Sequence, residues 1–141
     1  MPLFLVRFLG VGATLFCYDL RKLSSPIIKL KEDPYAAEII FEAEDEINQI
    51  SIAEHRQKKG CPLQYLAAAD DTGIVQVIDI TSNSNEKSSI GKASIKHELI
   101  HCTERASIVT SAVFRPRSKN LVLASGGTDC QICLWDVNKP K

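Results

Sequence analysis

Cysteine and histidine are the residues whose types and spacing come nearest to chemistry in this chain. Cys130-Gln131-Ile132-Cys133 has the separation of half a zinc site, and His97 with His101 has that of the other half. A tetrahedral ion needs all four side chains to converge. Three residues apart on an extended strand, the two cysteines face opposite sides of a sheet, an arrangement that suits packing and not ligation. Cys102 stands beside His101 as a nucleophile beside a base, but neighbours on a strand also diverge, and no third group is placed to orient them. Gly10-Val11-Gly12 opens a dinucleotide fingerprint, yet Leu15 occupies the place of its third glycine and no helical pattern follows. These readings point to a protein without catalytic residues or cofactor. A small zinc- or thiol-dependent protein using Cys130, Cys133, His97 and His101 stands as the alternative.

Charge offers binding surfaces. The stretch from Glu32 to Glu46 holds Glu32, Asp33, Glu38, Glu42, Glu44, Asp45 and Glu46 with no basic residue, so it reads as a solvated connecting face or a surface that steers a basic partner. Arg115, Arg117 and Lys119 form a small basic loop. Seventeen basic and seventeen acidic side chains in 141 residues leave a net charge of zero, which disfavours both a phosphate-backbone surface and a polybasic membrane anchor. Nucleic acid and membrane are therefore not expected partners. Five cysteines, an odd number and widely spread, read as reduced thiols in a cytoplasmic or nuclear protein. The apolar N-terminus, MPLFLVRFLGVGATLFCY, allows a targeting segment or two buried strands around a glycine turn; the internal Arg7 and the absence of a basic start favour the strands.

The elements that must carry these residues are strands. Residues 47–53, 74–80, 108–114, 120–125 and 130–136 are short, rich in Ile and Val, and bounded by turn residues. Asp70-Asp71-Thr72-Gly73 and Gly126-Gly127-Thr128-Asp129 each separate two apolar runs, as tight antiparallel reversals do. Set on their final aspartates, LAAADDTGIVQVIDI and LASGGTDCQICLWDV form an internal repeat. A weaker third copy, GVGATLFCYDLR, puts Gly10-Val11-Gly12 in the turn. The terminal aspartates Asp19, Asp79 and Asp136 stand 60 and 57 residues apart. Removing the polar insertions 24–36 and 81–92 restores a blade-like period of about 40–45 residues.

The segment IVTSAVFRPRSKNLVLASGGTDCQICLWDV, with its Ser125, Asp129 and Trp135-Asp136, resembles the WD-repeat family. The resemblance implies four-stranded antiparallel blades set round a channel, and a non-catalytic protein-interaction scaffold. It also implies a structural network of a Trp and a Ser on adjacent strands, a turn Asp and a His from the preceding loop. Trp135, Ser125 and Asp129 match three of these positions and Arg105 falls on that of the histidine, while the second repeat has Ala68 and Ile78 where Ser and Trp belong. Some family members serve as substrate receptors of cullin-RING ubiquitin ligases, docking to the ligase adaptor through a Trp-Asp-x-Arg box. Tyr18-Asp19-Leu20-Arg21 matches its Asp and Arg, so Asp19 and Arg21 are either an adaptor contact or an ordinary blade end.

The expected fold is all-β: a partial propeller of about two and a half four-stranded antiparallel blades, not a closed ring. An incomplete blade is expected over 1–43, a second blade over 44–104 with the polar insertion 81–92, and an incomplete blade over 105–141. Such a chain holds unpaired blade edges through which it could associate, and its length reads as that of a truncated propeller.

Overall fold

The computed structural model describes residues 6–19, 37–55, 63–80, 94–101, 103, 105–118 and 120–139. Every regular element among them is a strand: β1 Val6–Val11, β2 Thr14–Asp19, β3 Ala37–Glu42, β4 Ile47–His55, β5 Leu63–Asp70, β6 Ile74–Asp79, β7 Ser94–Ile100, β8 Val109–Phe114, β9 Val122–Gly127 and β10 Ile132–Asp136. They form three antiparallel sheets in the orders β1-β2-β3, β4-β5-β6-β7 and β10-β9-β8. None is closed on itself. The chain is an all-β, open array of blade-like sheets.

From Val6 to Asp19 the apolar N-terminal run is a hairpin. Gly10 and Val11 belong to β1, opposite Leu15 and Thr14, so the reversal sits one step later than expected, at Gly12 with φ 57. The acidic stretch from Glu32 to Glu46 also differs from a purely solvated connection, because its Ile39-Ile40-Phe41 core is β3 and pairs with β2. At the other end, β10 begins at Ile132, leaving Cys130 in the turn at φ 63. The polar insertions 24–36 and 81–92 lie outside the described residues.

The central four-stranded sheet is covered on both faces, which is why β5 and β6 read as nearly continuous apolar runs. Side chains alternate along a strand. Tyr65, Ala67, Ala69, Val75, Val77 and Leu99 therefore share one face, packed with Val109, Ala112, Phe114, Leu121, Leu123 and Val137 of the third sheet region. Leu66, Ala68, Ile78 and Ile80 share the other, packed with Leu15 and Phe41 of the first. Each fully buried Leu, Ile or Val contributes about 1.5–3 kcal/mol. The small side chains at 67–69 let the sheets approach closely.

Two glycines mark the tight seams. A Cβ on Gly73, which has φ 84, would lie 2.6 Å from the Ser107 carbonyl oxygen; one on Gly127 would lie 2.5 Å from that of Ile108. The turns are docked by backbone bonds in the same way, Asp71 N–H to Glu46 O at 3.0 Å and Thr128 N–H to Ile108 O at 2.9 Å.

Candidate functional site

The β9–β10 hairpin gathers most of the residues singled out from sequence. Leu123 lies opposite Trp135, and Ser125 opposite Cys133. From that position the indole Nε1–H donates to Ser125 Oγ at 2.8 Å. Ser125 is buried and Trp135 half-buried. Asp129, in the turn, accepts from the Gln131 N–H at 3.1 Å through Oδ1. Its other oxygen meets His101 Nδ1 at 2.5 Å, with both side chains fully buried. Asp136 closes β10 and its carboxylate caps the Asn138 N–H at 3.0 Å.

The histidine of this network is therefore His101, not the position of Arg105, which is exposed. Sequence alignment on the Asp ends missed it because it counts along the chain, whereas His101 reaches its partner across a seam: it follows β7 and contacts the next sheet's turn. An N–H donated from His101 to Gly73 O at 3.1 Å fixes that excursion to the central hairpin's own turn. In the sequence His101 fits the zinc alternative as well as this one, and nothing in its spacing marks the turn it reaches.

Electrostatics follow from the geometry. Burial pushes the Asp129 carboxyl up, but the hydrogen bonds from His101 and from the Gln131 N–H, together with attraction to the imidazole, outweigh it and hold it below its ordinary value. An ionised carboxylate only accepts, so Nδ1 carries the proton in this pair. Nε2 has no hydrogen-bond partner among the described residues, and the imidazole lies beside the indole with ring centroids 6.4 Å apart.

The zinc alternative finds little here. Among the described residues no three His, Cys, Asp or Glu side chains are grouped to hold a metal ion. Cys130 is exposed in the turn, His97 lies on β7 opposite Val77, and His101 Nδ1 is engaged by Asp129. Burial and then the charge of Asp129 push the Cys133 thiol up, away from the thiolate that ligation or nucleophilic attack requires. Cys102 lies outside the described residues.

Asp19, the first half of the candidate adaptor contact, is the last residue of β2 and pairs with Val6. Arg21 lies outside the described residues, as does Lys119 of the basic loop. Arg115 and Arg117 are exposed, Arg117 with φ 53.

One curated relative is a WD repeat-containing protein 53 homolog from Dictyostelium discoideum, 36% identical over 136 residues that cover 91% of this chain. The chain spans about 30% of that relative's length. No family model matches the chain. No solved structure matches it.

Proposed function

The chain belongs to the WD-repeat family, and we propose that it acts as a non-catalytic scaffold for protein–protein interaction. The observation that carries this reading is the use to which the polar residues are put. Trp135, Ser125, His101 and Asp129 are spent on holding a hairpin and on joining it to the preceding sheet. With strands hydrogen-bonded and faces packed, what such a stack offers to solvent is turns, connecting loops and sheet edges.

The finer reading is a substrate receptor of a cullin-RING ubiquitin ligase in the cytoplasm or nucleus, with Asp19 and Arg21 contacting the ligase adaptor. Its support is the Tyr18-Asp19-Leu20-Arg21 box and the place of Asp19 at a strand end, an arginine's planar fork being suited in general to a partner's carboxylate. Pull-down of the adaptor by the purified chain tests it. Arg21→Ala is expected to abolish capture, and equal capture by the variant and the unmutated chain removes the receptor reading.

A further inference from the structure

The three sheets stand with their ends aligned, and the two ends carry opposite charge. At one end the turns are tied to their neighbours by backbone bonds: Ile47 N–H to Gly12 O at 2.8 Å, Asp71 N–H to Glu46 O at 3.0 Å, His101 N–H to Gly73 O at 3.1 Å and Thr128 N–H to Ile108 O at 2.9 Å. A side-chain seal between the central and third sheets keeps the same alignment. Gln49 Oε1 accepts from the Ala112 N–H at 2.9 Å and Ser51 Oγ accepts from the Phe114 N–H at 3.0 Å, so β4 and β8 run side by side in one direction. Every strand therefore has one end at the tied turns and the other away from them.

Charge divides along that axis. The tied end exposes Glu42, Glu44, Asp45 and Glu46, with Arg105 the only exposed Lys or Arg there among the described residues. Every other Lys and Arg of the chain, except Arg7 in β1 and Lys96 in β7, falls in a segment that joins strands at the opposite end or follows β10. Segments 20–36, 56–62 and 81–93 lie outside the described residues, but the strands they join, β2 to β3, β4 to β5 and β6 to β7, fix the end at which the chain leaves and re-enters. The net charge of zero thus conceals a polarised molecule.

The β8–β9 loop is described at this basic end. Arg115 N–H donates to Val122 O at 2.8 Å, Asn120 N–H donates to Ser118 Oγ at 3.2 Å, and Arg115 and Arg117 are both exposed. Pro116 and Arg117 are the central residues of a turn, and Arg117 holds φ 53, where glycine or asparagine is favoured. Backbone held in a sparsely populated region tends to mark a place where a particular side chain is needed. Arginine supplies here what glycine lacks, a charged fork that donates two parallel hydrogen bonds to one carboxylate.

Resting on the scaffold reading above, we propose that the end carrying the β8–β9 loop docks an acidic polypeptide segment of a partner protein, with Arg115 and Arg117 each taking a carboxylate. Charge complementarity sets the occupant's chemistry. The strand-final aspartates Asp19, Asp79 and Asp136 stand at this same end, among the basic segments. A continuous run of phosphates would meet them and be repelled. A peptide can set carboxylates opposite the arginines and neutral residues opposite the aspartates, so the same pattern that attracts it excludes a uniform polyanion.

The probe is a dye-labelled peptide of alternating glutamate and serine, titrated into the purified full chain and read by fluorescence anisotropy. Saturable binding is expected, weakening about tenfold as salt rises from about 0.01 M to about 0.15 M and the Debye length shortens from about 30 Å to about 8 Å. Arg115→Ser and Arg117→Gly are each expected to weaken it about fivefold, the second while raising the melting temperature, which separates a lost contact from a lost fold. Arg105→Ser removes the same charge at the opposite end and is expected to change affinity less than about twofold. Absence of saturable binding, equal effects of Arg105→Ser and Arg115→Ser, or indifference to both Arg115→Ser and Arg117→Gly overturns the proposal. Tighter binding of an oligothymidylate of equal charge overturns it in favour of nucleic acid, and a dimer in sedimentation that Glu46→Gln dissolves overturns it in favour of a second copy's acidic end. A chain that captures the ligase adaptor and not the acidic peptide loses this proposal alone; one that binds the peptide and captures no adaptor loses the receptor reading alone.

Discussion

The β5–β6 and β9–β10 hairpins share a register and a docked turn, yet they are held by opposite chemistries. Where the third sheet has Ser125 and Trp135 joined by a hydrogen bond, the central one has Ala68 and Ile78, both buried among Leu15, Leu66 and Ile80. Where the third has Asp129 taken by His101, the central has the exposed Thr72, whose N–H and hydroxyl both donate to Asp70 at 3.0 and 2.5 Å. The difference follows coverage. Among the described residues the central hairpin is packed on both faces and gains enough from apolar burial, while the third is packed on one and adds directional bonds. One backbone motif thus tolerates either solution, according to what its neighbours supply.

The strongest challenge to that comparison is to remove apolar volume from both hairpins at equivalent positions. Leu66→Ala and Leu123→Ala should each cost about 2–5 kcal/mol in urea denaturation, because each opens a cavity in a fully buried site. If coverage is what separates the hairpins, Leu66→Ala lies nearer the upper end.

Swapping the polar position comes next. Ser125→Ala strands the indole N–H and should cost about 1–3 kcal/mol; Ala68→Ser buries a hydroxyl in an apolar cluster and should cost a similar amount. Thermal melts of both variants check this, and a neutral Ala68→Ser would break the comparison.

A smaller effect separates the hairpins by pH. Asp129 titrates lower in the folded chain than its ordinary 3.8, so the native state binds that proton less tightly. Its contribution is complete above pH 3.8 and is lost as pH falls through the folded value. Asp129→Asn should therefore flatten the acid limb of a stability–pH curve below that point and leave its neutral limb parallel to the unmutated chain. The smallest effect concerns the turn itself. Cys130 holds φ 63 where the central turn has Gly73 at φ 84, so Cys130→Gly should stabilise by no more than about 1 kcal/mol, read as a small rise in melting temperature.

Much of this organisation was legible in the sequence, and the exceptions share a cause. Hairpins announce themselves locally, through Asp70–Gly73 and Gly126–Asp129 between β-rich runs; both hairpins form, the second with its reversal moved to 128–130 because Gly126 and Gly127 end β9. Two outer strands do not: β3 hides among glutamates, and β7 carries only one buried side chain, Leu99. Ser125 and Trp135 were readable as a pair through the family resemblance, whose motif falls within one hairpin. His101 was not, since its partner is in another sheet, and spacing along the chain carries no information about which turn a loop will reach.

The side-chain seal between β4 and β8 has a consequence in time. Gln49 and Ala112, like Ser51 and Phe114, are 63 residues apart in the chain, while each hairpin closes over a few residues. Local reversals form in about 1–10 μs, and contacts of long sequence separation wait on the larger entropy of closing a long loop. The seam is thus expected to close last, and stopped-flow refolding should show Gln49→Ala raising the unfolding rate while leaving the folding rate nearly unchanged. Until it closes, the Ala112 and Phe114 amides stand open on a strand that nothing yet protects, so the slowest step of assembly is also the moment at which a nascent chain is most exposed to mispairing.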